Sequence, residues 1–162
     1  GSWEYDVIDA GFKCNMTDIL ASIGLVELQR YESETLPARK YIFEKYSSLL
    51  EEHDWAIPPH YKDEYRESSY HLYLLKIKDI SLTERNEIIQ EIFEQEVSVN
   101  VHYKPLPLLS YYHKLGYEID NYPEAKKIWE CEISLPVYYS LSDDDIIKVI
   151  NAVVKAVEKI KS

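Results

Sequence analysis

Residues 11–30 read GFKCNMTDILASIGLVELQR, and the interpretation of the rest of the chain depends on this stretch. Gly11 indicates a turn, and a helix is predicted to begin near Thr17. Asn15 or Thr17 can act as the N-cap, because either side chain can accept a hydrogen bond from a free backbone N–H group of the first turn. Asp18 then lies at the positive end of the helix dipole, where a carboxylate is stabilising. The stretch therefore predicts a turn followed by a well-capped helix.

Apolar side chains cover nearly the whole circumference of this predicted helix. They occur at Ile19, Leu20, Ile23, Leu25, Val26 and Leu28, with the small residues Ala21, Ser22 and Gly24 between them. A helix on the surface of a globular protein normally carries apolar residues on one stripe only. Gly24 also costs about 1 kcal/mol relative to alanine in a helix interior, so a close contact should compensate for it. We therefore expect another part of this chain, a second subunit or a further domain to cover the helix on several sides.

Charge and cysteine content exclude several classes of function. The chain has 162 residues, a length typical of one domain or of a small domain with appendages. Its formal net charge of −11 argues against a nucleic-acid or anionic-membrane partner, because both require a basic surface. No apolar run approaches the length of a membrane span. Cys14 and Cys131 are isolated in the sequence, which is typical of reduced thiols, so we predict a cytoplasmic protein.

Further helices are predicted from apolar periodicity and from capping residues. Apolar side chains recur at helical spacing between residues 36 and 50, and a capping box at residues 81–84 opens a second such pattern. Pro123 begins a short helix that runs to Cys131, and one helical turn is expected within residues 106–117. Another capping box, at residues 142–145, opens the most regular amphipathic pattern of the chain.

Strand signals are weaker and shorter. An edge strand is expected over residues 3–9, a strand over residues 70–77 and a brief extended piece over residues 133–136. Residues 97–103 alternate strictly and predict a half-buried strand. Its buried face would carry Val97, Val99, Val101 and Tyr103. We therefore predict an α+β fold, in which helices flank a small sheet of two or three strands.

The residues by themselves indicate no complete active site. Cys14 and Cys131 belong to no Cys-His-Asn arrangement, and no glycine-rich phosphate loop occurs among only four glycines. The histidines lack the spacing of a metal site. They are His53, His60, His71, His102 and His113. We therefore predict neither a metal site nor a catalytic nucleophile in this chain.

Two polar residues, Lys13 and His102, are nevertheless candidates for a binding site. Lys13 lies in the turn before a helix N-terminus, where free N–H groups and the dipole favour an anion such as phosphate, although a solvated surface lysine is the simpler interpretation. His102 ends a predicted strand just before Lys104, and a binding role and a structural role are equally supported there. His71 lies inside a predicted strand, which favours a structural histidine with a hydrogen-bond partner.

The stretch at residues 11–30 resembles the signature G-Y-N/K-x-R/N-M-T-D-I-Q-A-A-I-G-L-x-Q-L of the sugar aminotransferases related to DegT, DnrJ, EryC1 and StrS. The similarity continues in order through motifs like H-L-Y-x-I, V-H-Y-x-P-L, P-x-A-E-x-x-x-x-x-x-L-S-L-P-L-F and M-T-D-E-D-V of that family. The corresponding segments here are SSYHLYLLKI (68–77), VSVNVHYKPLPLLSYY (97–112) and YPEAKKIWECEISLPVYYSLSDDDI (122–146). The resemblance thus extends over essentially the whole chain.

This resemblance implies the type I fold of pyridoxal-phosphate enzymes, of which the chain looks like the final third to two-fifths. In the family, an N-terminal large domain supplies the Schiff-base lysine, the aspartate facing the pyridine nitrogen and most of the phosphate cradle. No catalytic residue is therefore expected in this chain, nor retention of pyridoxal 5'-phosphate by the chain alone. Residues 1–2 are interpreted as a cloning remnant. Residues 3–30 would link to the large domain, carrying a turn and helix on the cofactor and dimer side, and residues 31–162 would form the small C-terminal domain.

The resemblance also implies roles for four residues. In relatives, the turn before the helix reaches across a homodimer toward the cofactor phosphate of the neighbouring subunit, which makes Lys13 and Asn15 cofactor-binding candidates. Relatives often have Asn and Arg at these two positions. The departure resembles the branch that makes 4-amino-4-deoxyarabinose on UDP, and it suggests a 4-keto nucleotide sugar as substrate. His102 and Tyr103 are expected to approach the sugar.

Three hypotheses of function remain open at this point. The first is an aminotransferase that moves an amino group from an amino acid, glutamate in our interpretation, to a nucleotide-linked keto sugar for polysaccharide or amino-sugar biosynthesis. The second is a sugar dehydratase of the same family with the Schiff-base lysine replaced, which only the missing domain would distinguish. The third is a free-standing binding domain without a cofactor, in which the apolar helix would need some other partner.

Overall fold

The computed structural model describes residues 3–11 and 15–162. Helix α1 spans Asp18–Arg30. The Oγ1 atom of Thr17 accepts a hydrogen bond of 3.4 Å from the backbone N–H of Leu20, which confirms the predicted start of this helix. None of its residues is buried, and its six large apolar side chains are 56–75% exposed. The described residues of this chain therefore do not supply the cover that the sequence led us to expect.

The second predicted helix, α2 (Leu36–Leu50), follows α1 without a break. A π-helical turn, Tyr31–Thr35, joins the two, so the chain is helical from residue 18 to residue 50. Pro37 lies in the first turn of α2, where it cannot donate the backbone hydrogen bond of a regular helix. The wider π-helical turn just before it accommodates this interruption.

The sheet consists of three short antiparallel strands in the order β1-β2-β3. The strands are β1 (Ala56–Ile57), β2 (Tyr73–Ile77) and β3 (Glu132–Leu135). The α+β class and the size of the sheet are as predicted. Strand β1 was not predicted, because two residues are too few to show an alternating pattern.

Residues 97–103 do not form the strand that their alternation predicted. Only an isolated bridge links Asn100 to Ser134 of β3, through backbone hydrogen bonds of 3.1 and 2.7 Å. The N–H group of His102 then donates to the side chain of Glu132 rather than to a strand, at 3.1 Å. The prediction of a strand was wrong because the Glu132 carboxylate accepts the backbone hydrogen bond that a backbone carbonyl of β3 would accept in a continuous strand pair.

Two residues of the predicted strands, His71 and Tyr103, are exposed. The three valines of the 97–103 segment are buried, but Tyr103 is 64% exposed and does not share their face. Strand β2 begins only at Tyr73, because Tyr70 adopts a φ of +54°. His71 therefore precedes the strand, and its exposed ring makes no hydrogen bond within the described ranges. The prediction of a hydrogen-bonded structural histidine was wrong.

The N-terminal segment 3–9 is not an edge strand either, but lies against the short helix α4 (Ser110–Lys114). The carbonyl of Val7 accepts a hydrogen bond of 2.6 Å from the first turn of α4. The carboxylate of Asp6 accepts a second hydrogen bond from the backbone N–H of Ser110, at 2.8 Å. These partners lie more than a hundred residues away in the chain, so no local pattern could have indicated them.

Helices α3 (Leu82–Glu94) and α6 (Asp143–Lys161) begin with capping boxes, as predicted. The hydroxyl of Ser81 accepts a hydrogen bond from the N–H of Glu84 at 3.2 Å, and the Glu84 carboxylate accepts one from the N–H of Ser81 at 2.7 Å. The equivalent pair of bonds opens α6. Helices α3 and α6 pack against each other, and α5 (Pro123–Cys131) packs on α3 and leads directly into β3.

The core lies between the sheet and the helices α2, α3 and α6. Helices α4 and α5 confirm the two short helical elements predicted in the C-terminal half. Among the described residues, no helix combines the length and the apolar character needed to cross a membrane. The largest fully buried side chains are Ile42, Phe43, Tyr46, Leu50, Tyr70, Tyr73, Leu75, Ile77, Arg85, Ile88, Ile89 and Ile92.

Candidate functional site

A groove of about 400 Å³ opens beside β3, where the 98–102 segment passes the end of the sheet. Strand β3 and the bridge at Asn100 hold this segment in place, so polar side chains from three separate parts of the chain meet here. Trp3 and Phe93 contribute apolar surface to the groove, and the centroids of their rings are 5.5 Å apart. The polar lining residues are His71, Ser98, Asn100, His102 and Ser134.

His102 is held in this groove by two hydrogen bonds to β3. Its Nδ1 atom lies 2.8 Å from Ser134 Oγ, and its backbone N–H donates to Glu132 Oε2 at 3.1 Å. The Nε2 atom makes no hydrogen bond within residues 3–11 and 15–162. Burial and the nearby His71 ring lower the pKa of His102, so the neutral imidazole is the form present at neutral pH.

Hydrogen bonds connect the His102 ring through the Ser134 hydroxyl to Glu132, which is buried. It is 1% exposed, and its Oε1 atom accepts a hydrogen bond from the Ser134 hydroxyl. Burial raises the pKa of Glu132 to about 7, although the hydrogen bonds from Ser134 and His102 and the charge of Arg85 act to lower it. A carboxyl group that titrates near neutral pH is therefore linked through one hydroxyl to the ring in the groove.

Arg85 of α3 supplies a buried positive charge that acts on Glu132. Its guanidinium carbon lies 4.5 Å from the centroid of the Trp129 ring, a cation–π arrangement. None of its three guanidinium nitrogens has a hydrogen-bond partner in the described part of the chain. Burial lowers the pKa of Arg85, whereas the negative charge of Glu132 raises it. Each of the two charges therefore helps to keep the other ionised.

Of the three predicted site residues that the structure describes, one lines the groove. His102 lines it, and Tyr103 follows directly, with its ring edge-on to that of His102 at a centroid distance of 4.7 Å. Asn15 is exposed ahead of α1 and does not line the groove. Lys13 lies outside the described residues. The binding roles of all four residues stay predictions.

Sequence reasoning missed Glu132, Ser134 and Arg85. Glu132 and Ser134 are two residues apart in a strand, so their side chains share one face, and this spacing of polar residues in an apolar strand could have indicated them. Arg85 gives no such signal, because a charged residue in the first turn of a helix is usually exposed. Within the described ranges, no three His, Cys, Asp or Glu side chains are grouped so that they could hold a metal ion.

Comparison with protein families gives one match that covers most of the chain. A sequence model of the DegT/DnrJ/EryC1/StrS aminotransferase family matches residues 2–154. The match includes the 98–102 segment and β3, and with them His102, Glu132 and Ser134.

Three related proteins are informative. SpsC of Bacillus subtilis, a spore coat polysaccharide biosynthesis protein, is 34% identical over 94% of this chain and 40% of its own length. A UDP-4-amino-4,6-dideoxy-N-acetyl-beta-L-altrosamine transaminase of Campylobacter jejuni is 26% identical over 98% of this chain and 42% of its own length. The solved structure of Spr1654 from Streptococcus pneumoniae, described as a candidate sugar aminotransferase and captured in its PMP form, is 46% identical with a TM-score of 0.86, over 99% of this chain and 40% of its own. The chain thus spans about two-fifths of the length of these relatives.

Proposed function

The chain belongs to the DegT/DnrJ/EryC1/StrS aminotransferase family, and we propose on this basis that it is the C-terminal part of an enzyme that aminates a nucleotide-linked keto sugar. The amino donor in this proposal is an amino acid, glutamate. The Campylobacter relative is a transaminase of a UDP-linked sugar, which supports a nucleotide sugar as the acceptor. The Bacillus relative serves spore coat polysaccharide biosynthesis, which supports a role in making surface polysaccharides or amino sugars.

The observation that carries the proposal is the firmly held, neutral ring of His102 within a groove of the matched region. Hydrogen bonds to Ser134 and Glu132 fix the position of the ring, and its Nε2 atom remains available to a ligand. A neutral imidazole can form a hydrogen bond with a sugar hydroxyl without bringing a net charge into the site. We therefore assign His102, together with the exposed Tyr103 beside it, to the sugar-binding side of the substrate site.

Pyridoxal phosphate is the cofactor that the family implies, and it supplies the electron sink for transamination when it is bound. The groove does not fit this cofactor by itself, because no lysine or arginine is among its described lining residues. Neither a Schiff-base amine nor a positive charge for the phosphate is therefore provided there. We propose that Lys13 and Asn15, which precede α1 in the sequence, contribute to the cofactor phosphate site across a homodimer, and that this chain alone neither retains the cofactor nor has activity.

The exposed apolar surface of α1 supports the proposal that the chain is one part of a larger assembly. Soluble proteins rarely expose continuous apolar surfaces of this kind unless they mark an interaction site. We propose that α1 packs against the remainder of a longer enzyme or against the second subunit of a homodimer. In this arrangement residues 3–30 form the connecting segment and residues 31–162 form the small domain.

The test of this proposal uses the protein as it is produced by its source organism. We expect a protein with roughly two to three times the mass of this chain, because this chain covers about 40% of the length of its relatives. That protein should show the visible absorption band of the pyridoxal cofactor. Glutamate should convert this band to that of the amine form, and a UDP-linked 4-keto sugar should restore it. A band that persists in amino donors would instead support the dehydratase hypothesis. A native protein without the band would contradict the enzyme hypothesis and favour a binding domain.

A further inference from the structure

The Ser134 hydroxyl has a single proton, and the structure directs it to Glu132. Ser134 donates to Oε1 of Glu132, while Oε2 accepts the backbone N–H of His102 at 3.1 Å, so the ionised carboxylate receives a donor on each oxygen. The remaining contact of Ser134 Oγ, at 2.8 Å from His102 Nδ1, must then use a proton of the ring. A neutral imidazole has only one N–H proton, so Nε2 carries none.

We propose that Glu132 and Ser134 are positioning residues that hold His102 as its Nδ1–H tautomer and thereby make Nε2 a hydrogen-bond acceptor in the groove. Such an acceptor binds an O–H or N–H group and disfavours phosphate or carboxylate oxygens, which have no proton to donate. For the identity of that group the inference rests on the proposed function, under which it is a hydroxyl of the sugar. His102 therefore discriminates in favour of the sugar part of the substrate and against its phosphates.

Charged and titratable groups on several elements lie around the Glu132 carboxyl and the His102 ring. Arg85 faces it from α3 and favours its ionised form, and Glu4 of the N-terminal segment acts in turn on Arg85. On β2, Lys76 is the register partner of Glu132. On the groove side, His71 is the titratable group that acts on the His102 ring. The Cys131 thiol, adjacent in sequence, has its pKa raised by burial and stays neutral.

Protonation of Glu132 would reverse the direction of the hydrogen bonds. Its Oε2 atom is occupied by the backbone N–H of His102, so an added proton goes to Oε1, which then donates to Ser134 Oγ. The proton of Ser134 is then free to donate to Nδ1, and the ring keeps its own proton on Nε2. Burial raises the pKa of Glu132 to about 7. The groove therefore presents an acceptor above about pH 7 and a donor below it.

The tautomer can be measured directly in this 162-residue chain, without substrate or cofactor. Long-range proton–nitrogen NMR correlations of the His102 ring show which nitrogen carries the proton. At about pH 8, one unit above the pKa of Glu132, we expect a protonated Nδ1 and an unprotonated Nε2, and the two should exchange roles as the pH falls through about 7. A proton on Nε2 at about pH 8 would overturn the proposal.

Glu132→Gln should invert the tautomer at every pH at which the ring is neutral. The amide can turn its oxygen to the N–H of His102 and its NH₂ group to Ser134, which then donates to Nδ1. Glu87→Gln, an exposed position on α3, is the matched control and should behave as the wild type. A Glu132→Gln variant that folds and retains the Nδ1–H form would contradict the inference.

Ser134→Ala provides an independent variant, because it removes the hydroxyl and leaves the carboxyl unchanged. The pH-dependent exchange of the tautomer near pH 7 should then disappear. Ser48→Ala, at an exposed position on α2, should leave that exchange intact. If the exchange persists in Ser134→Ala, then Glu132 does not act on the ring through Ser134, and the inference fails.

Failure of this inference can be distinguished from failure of the proposed function. In the longer enzyme, Glu132→Gln should raise KM for the keto sugar about three- to tenfold, corresponding to one hydrogen bond, and leave KM for glutamate unchanged or lower. Equal rises in both constants would contradict the discrimination that we assign to His102. Absence of transamination in the wild-type enzyme would contradict the proposed function, whereas the tautomer measurements would still decide the roles of Glu132 and Ser134.

Discussion

Helices α1 and α6 are both rich in apolar residues, yet they meet different surroundings. Both begin with a side-chain cap, so their local start signals are equivalent. The apolar residues of α6 form one stripe that its own domain covers, whereas those of α1 point in nearly all directions and none is buried. The buried residues of α6 are Ile146, Val149, Ile150, Ala152, Val153, Ala156 and Val157. The width of the apolar surface, rather than the strength of the helix signal, thus separates a helix that its own domain covers from one that is left exposed.

The largest effect on the free energy of unfolding should come from truncating a buried side chain in the apolar stripe of α6. Ile146 is 1% exposed, and Ile146→Ala should lower the free energy of unfolding by about 2–5 kcal/mol, because it leaves a cavity in the core. The neighbouring Ile147 is 49% exposed, so Ile147→Ala is the matched control and should cost clearly less. Urea denaturation of the 162-residue chain measures both. Equal losses for the two variants would show that α6 is not covered on one side only.

A second effect arises inside the domain that covers α6, where Glu132 is buried. Its pKa is raised from 4.5 to about 7, so between these values the folded chain holds a proton that the unfolded chain releases. The contribution of Glu132 to the free energy of unfolding therefore falls as the pH rises through this window, by about 3 kcal/mol in total. Glu132→Gln removes this dependence.

The free energy of unfolding of Glu132→Gln, minus that of the wild type, should therefore increase from pH 4.5 to about 7 and then level off. Urea denaturation across a pH series measures it, with Glu87→Gln as the exposed control. A difference that does not change with pH would mean that the folded carboxyl titrates normally. In that case burial of Glu132 would not raise its pKa.

A smaller contrast is expected between the caps of the two helices. Ser142→Ala removes the cap of α6 and should lower the free energy of unfolding by about 1 kcal/mol, because α6 is part of the cooperative core. Thr17→Ala removes the cap of α1 and should reduce helix content without moving the unfolding midpoint. Circular dichroism reports the helix content, and tryptophan fluorescence reports the midpoint. A shifted midpoint in Thr17→Ala would show that α1 is coupled to the core.

The smallest effect is expected on the exposed face of α1. Ile19 is 75% exposed, so Ile19→Ala should change the free energy of unfolding of this chain by less than about 0.5 kcal/mol. In the longer enzyme, the same substitution should lower the melting temperature, because the side chain would be buried there. A loss in this chain comparable to that of Ile146→Ala would remove the difference between the two helices.

The elements that could be predicted from the sequence are those whose signals are local. The capping boxes that open α3 and α6 fix two helix starts, and the apolar stripe of α6 identifies its buried face. The strand predicted over residues 97–103 failed for a non-local reason. Its alternation describes burial correctly as far as Val101, but a side chain that is distant in sequence takes the backbone donor that would extend the ladder.

The site was predictable only in part, for the same reason. His102 could be named from the sequence because it belongs to a recognisable motif. Its partners Glu132 and Ser134 alternate with apolar residues in a strand of four residues, but this spacing does not show what they contact. The bridge at Asn100 brings them to the ring. Lys13 lies outside the described residues, so its predicted role at the cofactor keeps its basis in the family resemblance.

Hydrogen exchange of the α1 amides tests most directly whether this helix belongs to the interface of a larger enzyme. In the 162-residue chain, the amides of α1 should exchange much faster than those of α6, because the described parts of the chain bury none of the residues of α1. In the longer enzyme, the protection of α1 should rise to a level near that of α6. Amides of α1 that stay unprotected in the longer enzyme, or that are already protected as strongly as those of α6 in this chain, would contradict it.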